Sequence, residues 1–168
     1  MKLDEFNALA REDAQSELMK CCGSGNWAQA VVEARPFSDM DELLATADRI
    51  WWSLHPSDWL EAFSHHPQIG EKRSERAQAA EASRWSEEEQ SGTRGAEAET
   101  MSALANANRA YLQKFGYIFI VCATGKSSDE MLSLCEERLP NDAQTELRIA
   151  AEEQRRITHL RLRKLLET

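Results

Sequence analysis

The stretch Tyr117-Ile118-Phe119-Ile120-Val121-Cys122-Ala123 decides the fold class of this chain. Aromatic and β-branched residues of this kind favour a buried strand. No second run of the same character exists to pair with it, and a lone strand leaves its backbone groups without hydrogen-bond partners. We therefore expect a short extended or helical buried segment near 117–123 inside an all-α protein.

Helical spacing of apolar residues accounts for most of the remaining sequence. It predicts helices over residues 3–22, 27–34, 38–54, 57–63, 96–114, 127–139 and 141–166. The residues expected to cap or open five of these helices are Asn26, Ser38, Ser57, Ser127 and Asn141. Residues 71–85 are charged and rich in alanine, so they are interpreted as exposed helix or ordered loop.

The length of 168 residues suits one domain with a core of its own. We therefore expect a single helical-bundle domain over residues 1–168. The four cysteines include no Cys-x-x-Cys pair, so they are interpreted as reduced thiols packed as small apolar residues.

The charge balance limits the kinds of partner. The chain has 29 acidic and 20 basic residues, a net charge of −9, which disfavours nucleic acid and anionic membranes. The longest nearly apolar run, 117–123, is too short to span a bilayer, and the first residues lack the layout of a signal peptide. We expect a soluble, cytoplasmic protein that binds neither nucleic acid nor membrane.

Two adjacent histidines stand at the end of a predicted helix, in Ser64-His65-His66-Pro67-Gln68-Ile69-Gly70. The proline biases His66 away from helical dihedrals, and the glycine indicates a backbone reversal. His66 is therefore predicted to project from a rigid loop, either as a proton-exchanging group or as a loop histidine bonded to a carbonyl. His65 is interpreted as structural. No metal site is predicted, because no further ligands stand at suitable spacing.

Two other charged residues would complete a set able to move a proton on a small anionic substrate. Glu89 follows Ser86 at the spacing of a capping box, so its carboxylate either caps a helix or serves the site. Amides at such a helix start also favour a bound anion. Arg161 lies in an otherwise apolar helical pattern, where it either binds substrate or pairs with a glutamate on the surface.

Several short motifs occur in an order that resembles one family. They are His66-Pro67-x-Ile69-Gly70, Ser86-x-x-Glu89-Gln90, Tyr111-x-x-Lys114-Phe115-Gly116, Gly125-Lys126-Ser127 and Arg138-Leu139-x-Asn141, followed by Glu146, Glu153 and Arg161. Over nearly the whole chain the sequence is similar to 2-oxo-4-hydroxy-4-carboxy-5-ureidoimidazoline (OHCU) decarboxylase, an enzyme of urate breakdown. Gln68 stands where that family frequently has arginine, and Ile118 where proline is common.

The resemblance implies an all-α carboxy-lyase that needs no cofactor and no metal, commonly forms a homodimer, and converts OHCU to (S)-allantoin. It implies that His66 and Glu89 are catalytic. The substrate-binding residues that it implies are Pro67, Ser86, Gln90, Tyr117, Ile118, Phe119, Ile120, Val121 and Arg161, with residues 117–121 acting through their backbone.

The chemistry of such a reaction is consistent with these residue types. Loss of carbon dioxide from a carbon on an electron-poor ring leaves charge that the ring atoms can spread. The protein then has to hold the carboxylate out of the ring plane, donate hydrogen bonds and deliver a proton. Two other classes stay open. A non-enzymatic helical interaction module would show no thermal shift with allantoin, and a metal-assisted amidohydrolase of a related purine metabolite would be inhibited by a chelator.

Overall fold

The computed structural model describes residues 1–67 and 98–166 of the chain. Within these residues the regular structure is entirely α-helical and no strand is present, which confirms the all-α fold class. The helices are α1 (Leu3–Ala8), α2 (Arg11–Cys21), α3 (Gly25–Glu33), α4 (Met40–Ser53), α5 (Pro56–Ser64), α6 (Ala98–Phe115), α7 (Ser128–Arg138) and α8 (Ala143–Leu166). Among these helices, none is both long enough and apolar enough to cross a bilayer.

The described residues form two compact units. The first contains residues 1–62 and 155–166, and the second contains residues 63–67 and 98–154. The single domain expected over residues 1–168 stays a prediction.

The core of the first unit is built where α3 packs against both α2 and α4. Phe6, Leu18, Trp27 and Leu43 are fully buried there. The apolar stripe predicted for the helix after Ser38 is buried in α4, through Leu43, Leu44, Ala47, Ile50 and Trp51. Hydrophobic periodicity therefore identifies the buried face of this helix correctly.

The helix predicted over residues 3–22 is in fact two helices, α1 and α2. Arg35 holds the end of α1, because its Nη1 donates to the carbonyl oxygens of Phe6 at 2.7 Å and of Leu9 at 2.9 Å. These partners lie 29 and 26 positions away in the sequence. A distant guanidinium therefore satisfies carbonyls that a continuous helix would have bonded internally, and apolar spacing cannot reveal that break.

Four of the five predicted helix caps are displaced by one or two residues. His55 caps α5 in place of Ser57, since the helix begins at Pro56 and the Nδ1 atom of His55 accepts from the amide of Ser57 at 3.2 Å. The other three helices are capped by Ser24, Asp39 and Asp142 in place of Asn26, Ser38 and Asn141.

The cap at Ser127 is confirmed. Its hydroxyl accepts from the amide of Glu130 at 3.1 Å and donates to the carboxylate of the same residue at 3.2 Å. The first turn of α7 is therefore closed by the Ser-x-x-Glu pair that the sequence indicates.

In the second unit, α6 packs against α7 and the segment 117–123 completes their core. α6 ends where Gly116 adopts a φ of 83°, a conformation that favours glycine, and the chain enters the segment. The segment belongs to neither a helix nor a sheet, and residues 119–123 are buried, so the short buried segment expected in a helical protein is present in its non-helical form. The buried core residues are Leu104, Ala107, Tyr111, Phe119, Val121, Ala123, Met131 and Cys135.

Candidate active site

The predicted site is only partly within the described residues. Ser86, Glu89 and Gln90 lie outside them, as do Gln68 and all the predictions for residues 71–97. Of the remaining members, His66, Pro67 and residues 117–121 belong to the second unit, and Arg161 belongs to the first.

His66 follows the last turn of α5. Its backbone amide donates to the carbonyl oxygen of Phe63 at 3.2 Å, so the turn after the helix fixes its position. The imidazole is half-buried, and its Nε2 atom lies 2.6 Å from the side-chain oxygen Oε1 of Gln154 on α8. Pro67 is half-buried beside it. The structure therefore holds His66 by both its backbone and its ring.

The extended segment lies against the end of α5. The rings of Phe63 and Tyr117 pack with their centroids 5.2 Å apart, so the end of the helix that precedes His66 touches the start of the segment. Tyr117 and Ile118 are half-buried, whereas Phe119, Ile120 and Val121 are buried. Two parts of the predicted site, the His66 turn and residues 117–121, are thus brought together within one unit.

The backbone of this segment is held by side chains rather than by a neighbouring strand. The carbonyl of Ile120 accepts from Arg138 at 2.7 Å, and the amide of Cys122 donates to Glu153 at 3.4 Å. Lys126 donates to the carbonyl of Cys122 at 2.7 Å. In the described part of the chain, no group accepts from the amides of residues 118–121. Donors of this kind are suited to binding the edge of a polar ring.

A buried ionic network anchors the segment. The Nη2 atom of Arg138 lies 2.6 Å from Oε2 of Glu146, and the Tyr111 hydroxyl donates to the same carboxylate. Burial and this bond to Glu146 raise the pKa of the Tyr111 phenol. Burial disfavours the charged form of Arg138, but the Glu146 carboxylate outweighs it and raises the pKa of the guanidinium. The network is therefore an ion pair with a neutral phenol as an additional donor.

Arg161 is a buried guanidinium of the first unit, with 7% of its surface exposed. It lies near the thiol of Cys22, whose pKa burial raises to about 12 against the opposing effects of the Ser24 amide, the Thr158 hydroxyl and the Arg161 charge. Arg161 is therefore not a surface residue, and both substrate binding and pairing with a glutamate stay predictions. A buried cation is the kind of group that binds an anionic ligand strongly.

The described groups can exchange a proton through an imidazole, donate hydrogen bonds from an extended backbone and supply a buried positive charge. Across residues 1–67 and 98–166, no three His, Cys, Asp or Glu side chains are arranged to hold a metal ion.

Sequence reasoning missed Gln154, the ring partner of His66. The sequence feature that could have identified Gln154 is its place as a polar residue on the buried face of α8. It lies four positions after Ala150 and three before Ile157, both of which are buried. Sequence reasoning also gave no role to Arg138 and Glu146, although both stand in the motifs that carry the family resemblance.

The chain matches known proteins over most of its length. The profile of the family described as OHCU decarboxylase matches residues 7–163. The uric acid degradation bifunctional protein TTL of Arabidopsis thaliana is 40% identical over 158 residues, which are 94% of this chain and 48% of that protein. This chain thus spans about half of the Arabidopsis protein. The 2-oxo-4-hydroxy-4-carboxy-5-ureidoimidazoline decarboxylase of Haloferax volcanii is 32% identical over 135 residues, 80% of this chain and 77% of that protein.

Solved structures agree with the sequence comparison. An OHCU decarboxylase crystallised in the presence of (S)-allantoin superposes with a TM-score of 0.75 at 39% identity, covering 91% of this chain and 99% of that one. An (S)-allantoin synthase shares the fold, with a TM-score of 0.73 at 16% identity over 100% of this chain and 55% of that one. Because the profile of the OHCU decarboxylase family matches residues 7–163, the chain belongs to that family.

Proposed function

We propose that this chain is a carboxy-lyase that decarboxylates OHCU to (S)-allantoin in urate breakdown. The observation that carries the proposal is the family match over residues 7–163, which includes both His66 and Arg161. The relatives named above for uric acid degradation and OHCU decarboxylation support it. The geometry of the second unit is consistent with it, because an imidazole and a row of backbone donors lie in the same unit.

The reaction breaks the bond between the ring carbon and its carboxylate. Carbon dioxide leaves, and the electron pair stays on the ring, where the nitrogen and oxygen atoms spread the negative charge. A ring nitrogen takes up one proton, the hydroxyl proton is lost as the hydroxyl-bearing carbon becomes a carbonyl, and a proton is added to one face of the neighbouring carbon that carries the ureido group. This last proton sets the configuration of the product. The protein has to orient the carboxylate, stabilise the developing charge and control the face that receives the proton.

Each proposed residue has one of these tasks. His66 exchanges the proton, because an imidazole titrates near neutral pH. Glu89 orients either the imidazole or the hydroxyl group of the substrate. Arg161 binds a carbonyl oxygen or the departing carboxylate.

The remaining binding groups surround the ring. Pro67, Ser86 and Gln90 line the ligand, and the backbone of Tyr117, Ile118, Phe119, Ile120 and Val121 addresses its polar edges. The buried position of residues 119–121 supports this role, since hydrogen bonds to developing charge are stronger away from water.

The assembly and location are part of the proposal. We infer a homodimer in the cytoplasm from the family resemblance and the acidic composition, and light scattering after size-exclusion chromatography would test the homodimer.

A stereochemical assay tests the activity. Freshly generated OHCU is followed by circular dichroism, and the protein should yield (S)-allantoin faster than the spontaneous reaction. His66→Asn should lower kcat by about 10²- to 10⁴-fold without unfolding the protein, because it removes the proton-transfer group. The matched control is His65→Asn at the adjacent, exposed position, which should retain near-normal turnover. Wild-type protein that gives no excess of one enantiomer would overturn the proposed activity, and a folded His66→Asn variant with normal turnover would overturn the role of His66.

A further inference from the structure

Gln154 is a polar side chain in a place where an apolar one would be expected. It is fully buried on α8, between Ala150 and Ile157, which are themselves buried. Burying an amide is unfavourable unless its hydrogen bonds are made, so a leucine of similar size would be the more stable choice for packing alone. The amide at this position therefore needs a specific partner, and His66 is one.

The donor and the acceptor of the hydrogen bond between His66 and Gln154 can be assigned. The atom of Gln154 that lies 2.6 Å from Nε2 of His66 is its carbonyl oxygen, Oε1. An amide oxygen accepts hydrogen bonds and cannot donate them, so Nε2 of the imidazole carries the hydrogen. In a neutral imidazole with hydrogen on Nε2, the lone pair is on Nδ1.

We propose that Gln154 is a positioning residue that fixes the ring of His66 and holds its neutral form with hydrogen on Nε2, in the orientation from which the imidazole exchanges the proton with the substrate. This inference rests on the proposed function for its catalytic meaning. The orientation of the His66 ring and its tautomer are inferred from the Gln154–His66 contact alone.

The position of Gln154 is well supported by its own helix. The preceding residue, Glu153, accepts from the amide of Cys122 at 3.4 Å, and two turns earlier Glu146 pairs with Arg138. α8 is thus tied to the extended segment and to α7 over the same stretch that carries the partner of His66. A rigid support of this kind is needed to hold a reacting group within a few tenths of an ångström.

The neutral amide of Gln154 also suits proton exchange by His66 better than a carboxylate would. A glutamate at position 154 would stabilise the imidazolium and raise the pKa of His66. Glutamine makes the same hydrogen bond without adding charge, so the imidazole can still change its protonation state near neutral pH.

Three variants test the inference by a measurement that does not depend on activity. The protein has four histidines, so ¹⁵N labelling of histidine with two-bond ¹H–¹⁵N correlation spectra is practicable, and His66→Asn assigns the His66 signals. Above the pKa of His66, wild-type spectra should show hydrogen on Nε2. In Gln154→Leu, which removes the acceptor, the His66 tautomer ratio should change. In Gln154→Glu the Nε2–H form should persist, and the pKa of His66 should rise by about one unit or more.

Kinetics then connect the contact to the reaction. Gln154→Leu should lower kcat by up to about 10²-fold with a smaller change in KM, since the ring is misplaced while substrate binding remains. Gln154→Glu should restore much of kcat and shift the pH profile upward, following the raised pKa of His66. Gln144→Glu, the same substitution at an exposed position of α8, is the control and should leave the His66 signals and the pH profile unchanged.

The possible failures are distinguishable. Hydrogen on Nδ1 in the wild type, or His66 signals that are identical in wild type and Gln154→Leu, would overturn the inference even if the enzyme is active. Loss of kcat in both Gln154→Leu and Gln154→Glu with an unshifted pH profile would also overturn it, because that is the result expected of a purely structural residue. Absence of decarboxylation by the wild type would overturn the proposed function and leave the spectroscopic result intact.

Discussion

Arg138 and Glu146 form a buried ion pair that takes the place of a sheet ladder in the second unit. Their closest atoms are 2.6 Å apart, and the side chains are 9% and 0% exposed. The same guanidinium donates to the carbonyl of Ile120 at 2.7 Å and lies over the ring of Phe119, 4.5 Å from its centroid. Two neighbouring residues of a segment that belongs to no sheet are therefore held by one side chain.

Removing one member of this pair should destabilise the protein strongly. Arg138→Met fills similar space but leaves the Glu146 carboxylate buried without its cation, and it removes the donor to Ile120. Such losses typically cost about 3–5 kcal/mol. The free energy of unfolding, measured by urea denaturation at neutral pH, should fall by that amount.

The matched control is Arg11→Met, which breaks an ion pair of the same length on the surface. Arg11 and Glu33 are also 2.6 Å apart, but both side chains are 54% exposed, so the loss should stay below about 1 kcal/mol. Equal losses in the two variants would contradict the anchoring role assigned to Arg138.

The buried thiol of Cys135 should make the protein less stable in alkaline solution. Burial raises its pKa from 9.0 to about 11, against the opposing charge of Arg138. Because the folded-state value is the higher one, the stabilisation is fully present below pH 9 and is lost as the pH rises towards 11. The slope from one such thiol is at most about 1.4 kcal/mol per pH unit. Urea denaturation at pH 8, 9 and 10 would measure it.

The variant Cys135→Ala isolates this contribution. It lowers stability at every pH by the lost packing, but it removes one titrating group, so its stability should fall less steeply between pH 9 and 10 than that of the wild type. The difference in slope is the readout. If the free energy of unfolding fell equally steeply with pH in the two proteins, Cys135 would not be the group responsible for the loss of stability.

Asp142 should stabilise α8 in a way that disappears in acid. Its carboxylate accepts from the amide of Thr145 at 2.8 Å and from the Thr145 hydroxyl at 3.0 Å, and these bonds lower its pKa below the ordinary 3.8. A lowered pKa means that the contribution is present above pH 3.8 and is lost as the pH falls through the folded-state value. Asp142→Ala should therefore be less stable than the wild type at pH 7, with a difference that narrows below pH 4.

The control for this cap is Asp142→Asn. Asparagine caps helices about as well as aspartate but carries no charge, so it should retain most of the stability at pH 7. Its difference from Asp142→Ala should also change little with pH. An equal loss in both variants would show that the cap at Asp142 depends on charge rather than on the hydrogen bond to Thr145.

Two features of the fold could be predicted from local sequence patterns alone. The segment 117–123 has no strand to pair with, and Ser127 has Glu130 at the spacing that completes a capping box, so both predictions are confirmed. Three of the four displaced caps are explained by a second polar residue that lies close by, while the side chain of the expected cap is engaged elsewhere. The engaged side chains are Asn26 with Asp58, Ser38 with Glu42, and Asn141 with Glu146.

The candidate site was harder to predict than the fold because its supports are distant in sequence. Gln154 is 88 positions from His66, and Arg138 is 18 positions from Ile120. Motif spacing identifies residues that carry chemistry, whereas the residues that hold them are recognised only when the chain is folded. A polar side chain on a buried helical face, such as Gln154, is the sequence signal that would have indicated one of them.

The planar guanidinium of Arg161 should be needed for substrate binding, and a positive charge alone should not replace it. Arg161→Lys keeps the charge but loses the forked donor geometry that fits a carboxylate. We expect kcat/KM to fall by about 10- to 100-fold, as for loss of a hydrogen bond to a charged group, and the thermal shift caused by (S)-allantoin to shrink. Arg163→Lys, an exposed position two residues further along α8, is the matched control and should change neither. A folded Arg161→Lys protein with normal kcat/KM would show that Arg161 serves packing in the first unit, beside Cys22, and does not bind the substrate.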